Sequence, residues 1–251
     1  MSTETQISIS IVIFNEDLSV LKKRLNSILD ASLNLHVFLI DNSPVPTATF
    51  INFHDKLTYI FNGANLGYGR GHNLILKEIT SDYHLVLNPD VDFNSNILTV
   101  LVSQLESDEQ IGLVTPKVYY PDGSLQYLCR KHPSFLDLVN RLLKFSKSRT
   151  IKSEYKNLDL ENNPFNPEFI HGCFMLFNTQ VYKNLNGFDE SFFLYMEDAD
   201  ICKRIWESGF KIQYYPKVNI VHQHRRASKK NIFLFFTHLR SSFRYFFKWG
   251  F

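Results

Sequence analysis

The residues from Ile7 to Ile13 read ISISIVI, a β-branched run with serine at alternate positions, and Leu18, Leu21, Leu25, Ile28 and Leu29 then recur at helical spacing. This pattern predicts a strand followed by an amphipathic helix. A second strand is expected at residues 36–40 (HVFLI), ending at Asp41-Asn42-Ser43-Pro44, and a third at Leu57–Phe61, ending at Asn62-Gly63. A helix near residues 72–79 leads to a fourth strand at residues 83–87 (YHLVL), which stops at Asn88-Pro89-Asp90. Strands alternating with helices predict an α/β fold with a Rossmann-like, mostly parallel central sheet covered on both faces.

The second half is less regular. Residues 111–120 and 169–177 have strand character, as do the shorter runs 210–215 and 218–221, while residues 133–145 and 197–208 read as helices. Gly209 closes the second of these. Residues 146–166 form a polar loop rich in Lys, Asn and Ser. The expected organisation is a catalytic domain over residues 1–221, with halves at about 1–120 and 121–221, followed by a tail over 222–251.

Charge sharpens that boundary. The formal net charge is +2, but seven of the 27 cations follow Val221, where no acid occurs, so residues 1–221 hold 20 cations against 25 acids. An acidic body therefore carries a strongly basic tail. Cys129, Cys173 and Cys202 have neither disulfide-like nor metal-ligand spacing, which points to core packing in a reducing compartment. The opening MSTETQ lacks a signal-peptide pattern and no apolar run is long enough to span a bilayer. A cytoplasmic protein, or one held on the cytoplasmic face of a membrane, is expected.

Ligands of open α/β sheets bind beyond the carboxyl ends of the strands, and these ends carry Asn15, Asn62, Asp41 and Asp90. In Asp90-Val91-Asp92, extended backbone would place both carboxylates on one side, where they suit a hard divalent cation such as Mg2+ or Mn2+. A solvated, capped turn explains the same residues. Residues 65–73 (NLGYGRGHN) run from alternating glycines into a helix, which would let backbone N–H groups approach phosphate or sugar oxygens; a flexible turn is the plainer alternative. The glycine spacing is not that of a dinucleotide fingerprint. Glu197, Asp198 and Asp200 open a helix after an aromatic run. The helix dipole accounts for at least one of them, Glu197 or Asp200, and a carboxylate beside an aromatic pocket can serve as general base. His222 and His224 close the last strand as satisfied polar groups or as metal ligands.

Taken together, SIVIFNE, IDNSP, NGANLGYGRGHN, NPDVDF, FIHGCFMLF, GFDESFFLYMEDADICKRIWESGF and VHQHRRAS with LRSSFRYFFKWG resemble glycosyltransferase family 2, of the GT-A fold, and within it the bacterial rhamnosyltransferase-like branch. The resemblance implies an inverting, metal-dependent transferase moving a sugar, foremost L-rhamnose from dTDP-rhamnose, to a hydroxyl of a lipid-linked glycan in O-antigen- or capsule-like polysaccharide biosynthesis. UDP- and GDP-linked donors are the alternatives, as is a catalytically silent nucleotide-sugar-binding protein. By the same resemblance Asp198 is the base with Glu197 beside it. Asn15, Asp41, Asn42, Asn65, Gly67, Gly71, Asn73 and Asp90 face the nucleotide-sugar, and Asp90, Asp92 and His222 hold the metal. His171 receives no role.

In the tail, Phe235, Phe236, Leu239, Phe243, Phe246 and Phe247 follow helical spacing, with Arg240, Arg244 and Lys248 along another face. That pattern fits a helix lying on an anionic membrane surface, here the cytoplasmic face of the inner membrane, and equally a helix packed on the domain with its basic face solvated. No nucleic-acid-binding motif accompanies the charge, so nucleic acid is not expected as a partner.

Overall fold

The computed structural model describes residues 5–135, 155, 159, 161–223 and 232–250. Most of the helix expected at 133–145, most of the polar loop at 146–166 and His224 lie outside the described residues. The elements are β1 (Ile7–Ile13), α1 (Leu18–Leu29), β2 (Leu35–Asp41), β3 (Leu57–Phe61), α2 (Tyr68–Asn73), β4 (Tyr83–Leu87), β5 (Val91–Asp92) and α3 (Asn96–Ser107). They continue with β6 (Ile111–Tyr119), β7 (Cys129–Arg130), β8 (Phe169–Ile170), β9 (Phe174–Asn178), α4 (Thr179–Asn184), α5 (Glu197–Glu207), β10 (Lys211–His222) and α6 (Ile232–Trp249).

Eight strands form one sheet in the order β3-β2-β1-β4-β9-β6-β10-β5, and β7 pairs with β8 apart from it. Neighbours are parallel except where β9 lies antiparallel between β4 and β6 and where β5 runs antiparallel to the end of β10. This is the expected α/β architecture, mostly parallel with an antiparallel insertion. Alternation along β1 sends Ile7, Ile9, Ile11 and Ile13 to the face covered by α1 and α3. The opposite face carries a second core under α5 and the end of α6, built on Val86, Met175, Phe177, Ile201, Ile205, Tyr245 and Phe246.

Several boundaries differ from the sequence expectation. The helix placed near 72–79 starts at Tyr68 and gives way to turns after Asn73. Residues 169–177 divide between β8 and β9, because Gly172 and Cys173 turn the chain from the small sheet into the large one. The runs at 210–215 and 218–221 are one strand, β10, whose pairing with β6 slips between Tyr215 and Asn219. Helix α3, absent from the sequence expectation, rests on an apolar pattern of helical period, with Leu98, Leu101 and Leu105 buried.

Candidate active site

The site forms where the carboxyl ends of β1, β2, β4 and β10 meet the beginning of β9. Because β9 is antiparallel to β4, Leu87 stands opposite Phe174. The Asn88 N–H then donates to the Cys173 carbonyl at 2.9 Å, which joins the acidic turn to Gly172. At the far end of the sheet Val91 pairs with His222 and Asp92 with Val221. A long-range strand pair thus brings Asp90 and His222 together.

Asp90 Oδ1 lies 3.3 Å from His222 Nε2, with only 2% of the histidine side chain exposed. The Gln126 amide fixes the ring: its Nε2 donates to the carbonyls of His222, at 2.6 Å, and of Tyr119, at 3.2 Å, leaving Oε1 to face His222 Nδ1 at 3.0 Å. Nδ1 is therefore the donor in this amide orientation. Nε2 then faces a carboxylate oxygen, an arrangement suited to a proton or a cation between the two. Burial raises the Asp90 carboxyl, but His222 and Arg24 outweigh it and hold it below its ordinary value.

Asp92 lies in β5, whereas Asp90 sits in the turn before it. The Asp92 carboxylate receives Arg24 in a two-pronged pair, Nε to Oδ1 at 2.8 Å and Nη2 to Oδ2 at 2.9 Å. Arg24 Nη1 also donates to the Pro89 carbonyl at 3.0 Å. Arg24 therefore clamps the whole turn from α1. Among the described residues no three His, Cys, Asp or Glu side chains stand close enough together to hold a metal ion.

At the end of β2, Asp41 is fully buried. Its Oδ2 accepts from the Tyr59 hydroxyl at 2.6 Å and from Thr47 N–H at 3.3 Å, and its Oδ1 from Ser43 N–H at 2.9 Å. Burial would raise this carboxyl, yet the bonds from Ser43, Tyr59 and Thr47 lower it overall, while burial and Asp41 push Tyr59 up to about 12. The exposed Asn15, left-handed at φ 52, donates its N–H to Ser43 Oγ at 2.9 Å. Asn42 Nδ2 donates to the Gly67 carbonyl at 3.0 Å. Asn42 thereby ties the glycine loop to β2.

The glycines of that loop meet protein. A Cβ on Gly67 would lie 2.1 Å from the Phe193 carbonyl oxygen, one on Gly69 2.7 Å from Phe188 Cβ, and one on Gly71 2.8 Å from Val12 Cγ2. Gly67 N–H donates to Asn65 Oδ1 at 3.0 Å, and Gly71 N–H to the Gly67 carbonyl at 3.3 Å. Asn73 brackets Phe188, donating to its carbonyl at 2.7 Å and accepting its N–H at 2.9 Å. The loop is thus a packed joint that positions the aromatic segment ahead of α5, with its glycines chosen for closeness to other protein atoms.

That segment ends in two consecutive left-handed residues, Tyr195 and Met196, each at φ 70. They aim the start of α5 across the sheet toward Gly172. Asp198 Oδ2 accepts the Gly172 N–H at 3.2 Å, and Oδ1 accepts the Ala199 N–H at 2.9 Å. Tyr68 completes this corner by donating to the Gly172 carbonyl at 2.6 Å. Burial raises the Asp198 carboxyl above its ordinary value, against the pull of the two N–H groups and Arg130. Glu197 is buried, its Oε2 has no hydrogen-bonding partner among the described residues, and burial with the charge of Asp198 pushes it well above its ordinary value. Burial thus raises both members of the pair, and the Asp198 charge raises Glu197 further. Asp200 points away from both, to Arg204 and α6.

Three side chains that shape the site carry no signal of their own in the sequence: Arg24 on a polar helix face, Gln126 beside a stretch of little pattern, and Arg130 in a two-residue strand. Only pairing over long sequence distances brings them in.

A family model described as "Glycosyltransferase like family 2" matches residues 5–242. The N-acetylglucosaminyl-diphospho-decaprenol L-rhamnosyltransferase of Mycobacterium tuberculosis is 25% identical over 211 residues, covering 78% of this chain and 68% of its own. Rhamnosyltransferase WbbL of Escherichia coli K12 is 28% identical over 202 residues, covering 75% and 73%. Among solved structures, GalNAc-T7 with UDP, GalNAc and Mn2+ superposes with a TM-score of 0.65 at 14% identity, over 87% of this chain and 43% of that one. The mannosyltransferase PcManGT of Pyrobaculum calidifontis, with GDP-Man and Mn2+, does so with a TM-score of 0.60 at 18% identity, over 90% and 59%. At these identities the two solved structures speak for the GT-A fold alone, and this chain spans about half the length of each.

Proposed function

The chain belongs to glycosyltransferase family 2 and is a glycosyltransferase, and we propose on that premise that it moves L-rhamnose from dTDP-rhamnose, with inversion, onto a hydroxyl of a lipid-linked glycan. The observation that carries the mechanism is the acid pair. Asp198 is held by two backbone N–H groups and made more basic by burial, while burial and the Asp198 charge push Glu197 beside it well above its ordinary value. Asp198 takes the proton of the acceptor hydroxyl as that oxygen attacks the anomeric carbon. The bond from that carbon to the diphosphate oxygen breaks, and the nucleoside diphosphate leaves from the opposite face. Glu197 orients the acceptor as a neutral hydrogen-bonding group.

Asp90 and His222 are the residues that would hold Mg2+ or Mn2+, since their facing acceptor atoms fit a cation that keeps other positions for phosphate oxygens and water. Such an ion supplies charge neutralisation to the leaving diphosphate. Asp92, paired with Arg24, acts on this site by fixing the turn that carries Asp90. Asp41, with Tyr59 and Thr47 gathered on it, shapes the nucleotide end together with Asn15 and Asn42. Asn65, Gly67, Gly71 and Asn73 serve the donor by holding the loop beside it. The names of the rhamnosyltransferase relatives support the donor sugar, and the decaprenol-linked acceptor in one of them supports the acceptor class.

No helix among the described residues is long and apolar enough to cross a membrane. The structure divides the tail aromatics that the sequence had placed together: Phe246 turns inward with Tyr245, while Ile232, Phe236, Phe243 and Phe247 stay exposed. Exposed Arg240 and Arg244 share this outer face. The mixed stripe supports attachment to the anionic cytoplasmic face of the membrane where such an acceptor resides. The deciding experiment offers dTDP-, UDP- and GDP-sugars with a polyprenyl-diphosphate-linked acceptor, with and without Mn2+, and reads the product by mass spectrometry and its anomeric configuration by NMR. Transfer from a UDP- or GDP-sugar in preference to dTDP-rhamnose replaces the donor. A retained anomeric configuration removes Asp198 as the base of a single displacement, and donor binding without transfer leaves a silent sugar-binding protein.

A further inference from the structure

The inner face of α6 is fastened to the segment that presents the acid pair. Asp200 is fully buried; its Oδ2 accepts from Arg204 Nε at 2.8 Å, and its Oδ1 from Trp249 Nε1 at 2.9 Å and Lys248 Nζ at 2.7 Å. Lys248 also reaches Asp189 Oδ2 at 2.7 Å, at the other end of the same segment. Between them, Ser241 Oγ donates to the Leu194 carbonyl at 2.8 Å, and His238 packs against Tyr195 with ring centroids 5.1 Å apart. Three turns of α6 therefore hold residues 189–200 at four places.

The segment needs such a frame. Left-handed conformation at a residue with a side chain is costly and persists only where the surroundings impose it, and here Tyr195 and Met196 adopt it in succession. On one side the constraint is the glycine loop, where Tyr68 N–H donates to the Phe193 carbonyl at 2.9 Å. On the other it is α6. We infer that Lys248 and Trp249 are positioning residues of the transfer reaction, which act through Asp200 to hold Glu197 and Asp198 against Gly172. The inference rests on the reading of Asp198 as base. It also makes α6 part of the catalytic machinery as well as an attachment helix: the face turned to the domain sets the site, and only the opposite face is available to a membrane.

The test compares the full-length chain with the double variant K248M/W249F, which removes both donors to Asp200 Oδ1 and keeps an aromatic ring for Lys203, whose Nζ lies 4.6 Å from the Trp249 ring centroid. Amide hydrogen exchange within 189–200 is expected to quicken by about tenfold or more while that of β1 and β2 is unchanged. The kcat for transfer should fall about 10- to 100-fold, the range set by misplacing a catalytic group by roughly an ångström, with donor KM little altered. K248R, alone, should retain most of the rate. Unchanged exchange in 189–200 overturns the inference, as does a loss of donor affinity in step with kcat, which marks general unfolding. If the wild-type chain transfers no sugar, the functional reading falls, and the exchange measurement still decides whether α6 holds the segment.

Discussion

Asp198→Asn should lower transfer about 10²- to 10⁴-fold, the usual contribution of a general base, while donor binding persists. The structure adds a second effect. Both carboxylate oxygens of Asp198 accept backbone N–H groups, from Gly172 and from Ala199, and a carboxamide has a single acceptor to offer. Its NH2 group must oppose one of those donors, which costs about 1–3 kcal/mol out of a typical domain stability of about 5–15 kcal/mol. The variant should therefore fold with a reduced Tm. Glu197→Gln differs in both respects, because Glu197 is pushed well above its ordinary value and its Oε2 meets no donor or acceptor among the described residues, so the amide takes its place at small cost. The pH profile supplies a further readout. Asp198 works ionised and its carboxyl is raised, so wild-type kcat/KM should decline as pH falls through a value above the ordinary aspartate figure of about 3.9, and Asp198→Asn should lack that limb. Single-turnover transfer followed by mass spectrometry across a pH series, with donor titration calorimetry and thermal melts, measures all of this. A near-normal rate in Asp198→Asn beside a severe loss in Glu197→Gln would move the base to Glu197, and a loss of donor affinity in Asp198→Asn would refute the separation of the acid pair from the donor site.

Asp90→Asn and His222→Gln should each abolish cation-dependent donor binding, whereas Asp92→Asn should weaken it only as far as Arg24→Met does, with no further loss when the two are combined. Calorimetry with and without chelator checks this, and an Asp92→Asn defect as complete as that of Asp90→Asn would make Asp92 a ligand. His84, buried between Ser8 and Ser10, has its pKa lowered from 6.5 to about 3 by burial, so its neutral form contributes stability that is full above pH 6.5 and lost as pH falls. Denaturant unfolding at pH 5 should show about 2 kcal/mol less stability from this group than at pH 8, and an equal pH slope in His84→Gln would contradict the assignment. The triple variant F236S/F243S/F247S should cosediment less with anionic vesicles at unchanged Tm, since all three rings are exposed; partition equal to wild type would remove the membrane role.

The sequence made legible what depends on local period. Strands β1 to β4, α1, α5 and α6 follow from apolar spacing alone, and every acid proposed for chemistry stands at the end of an element whose boundary the pattern placed within a few residues. What escaped it depends on pairing between distant segments. Nothing in Asp90-Val91-Asp92 says that one carboxylate will face a histidine and the other an arginine; that division arises because the end of β10 returns antiparallel to β5 and because α1 passes over the turn. Likewise the alternating glycines read as an opening for phosphate, when each lies against Phe193, Phe188 or Val12. The helix dipole accounts for Glu197 or Asp200 equally well, because it acts on any acid in the first turn and so cannot tell Asp200 from its neighbours. Burial can. Asp200 is wholly enclosed and answers to Arg204, Lys248 and Trp249, which sets it apart, as an anchor, from the two acids proposed for chemistry.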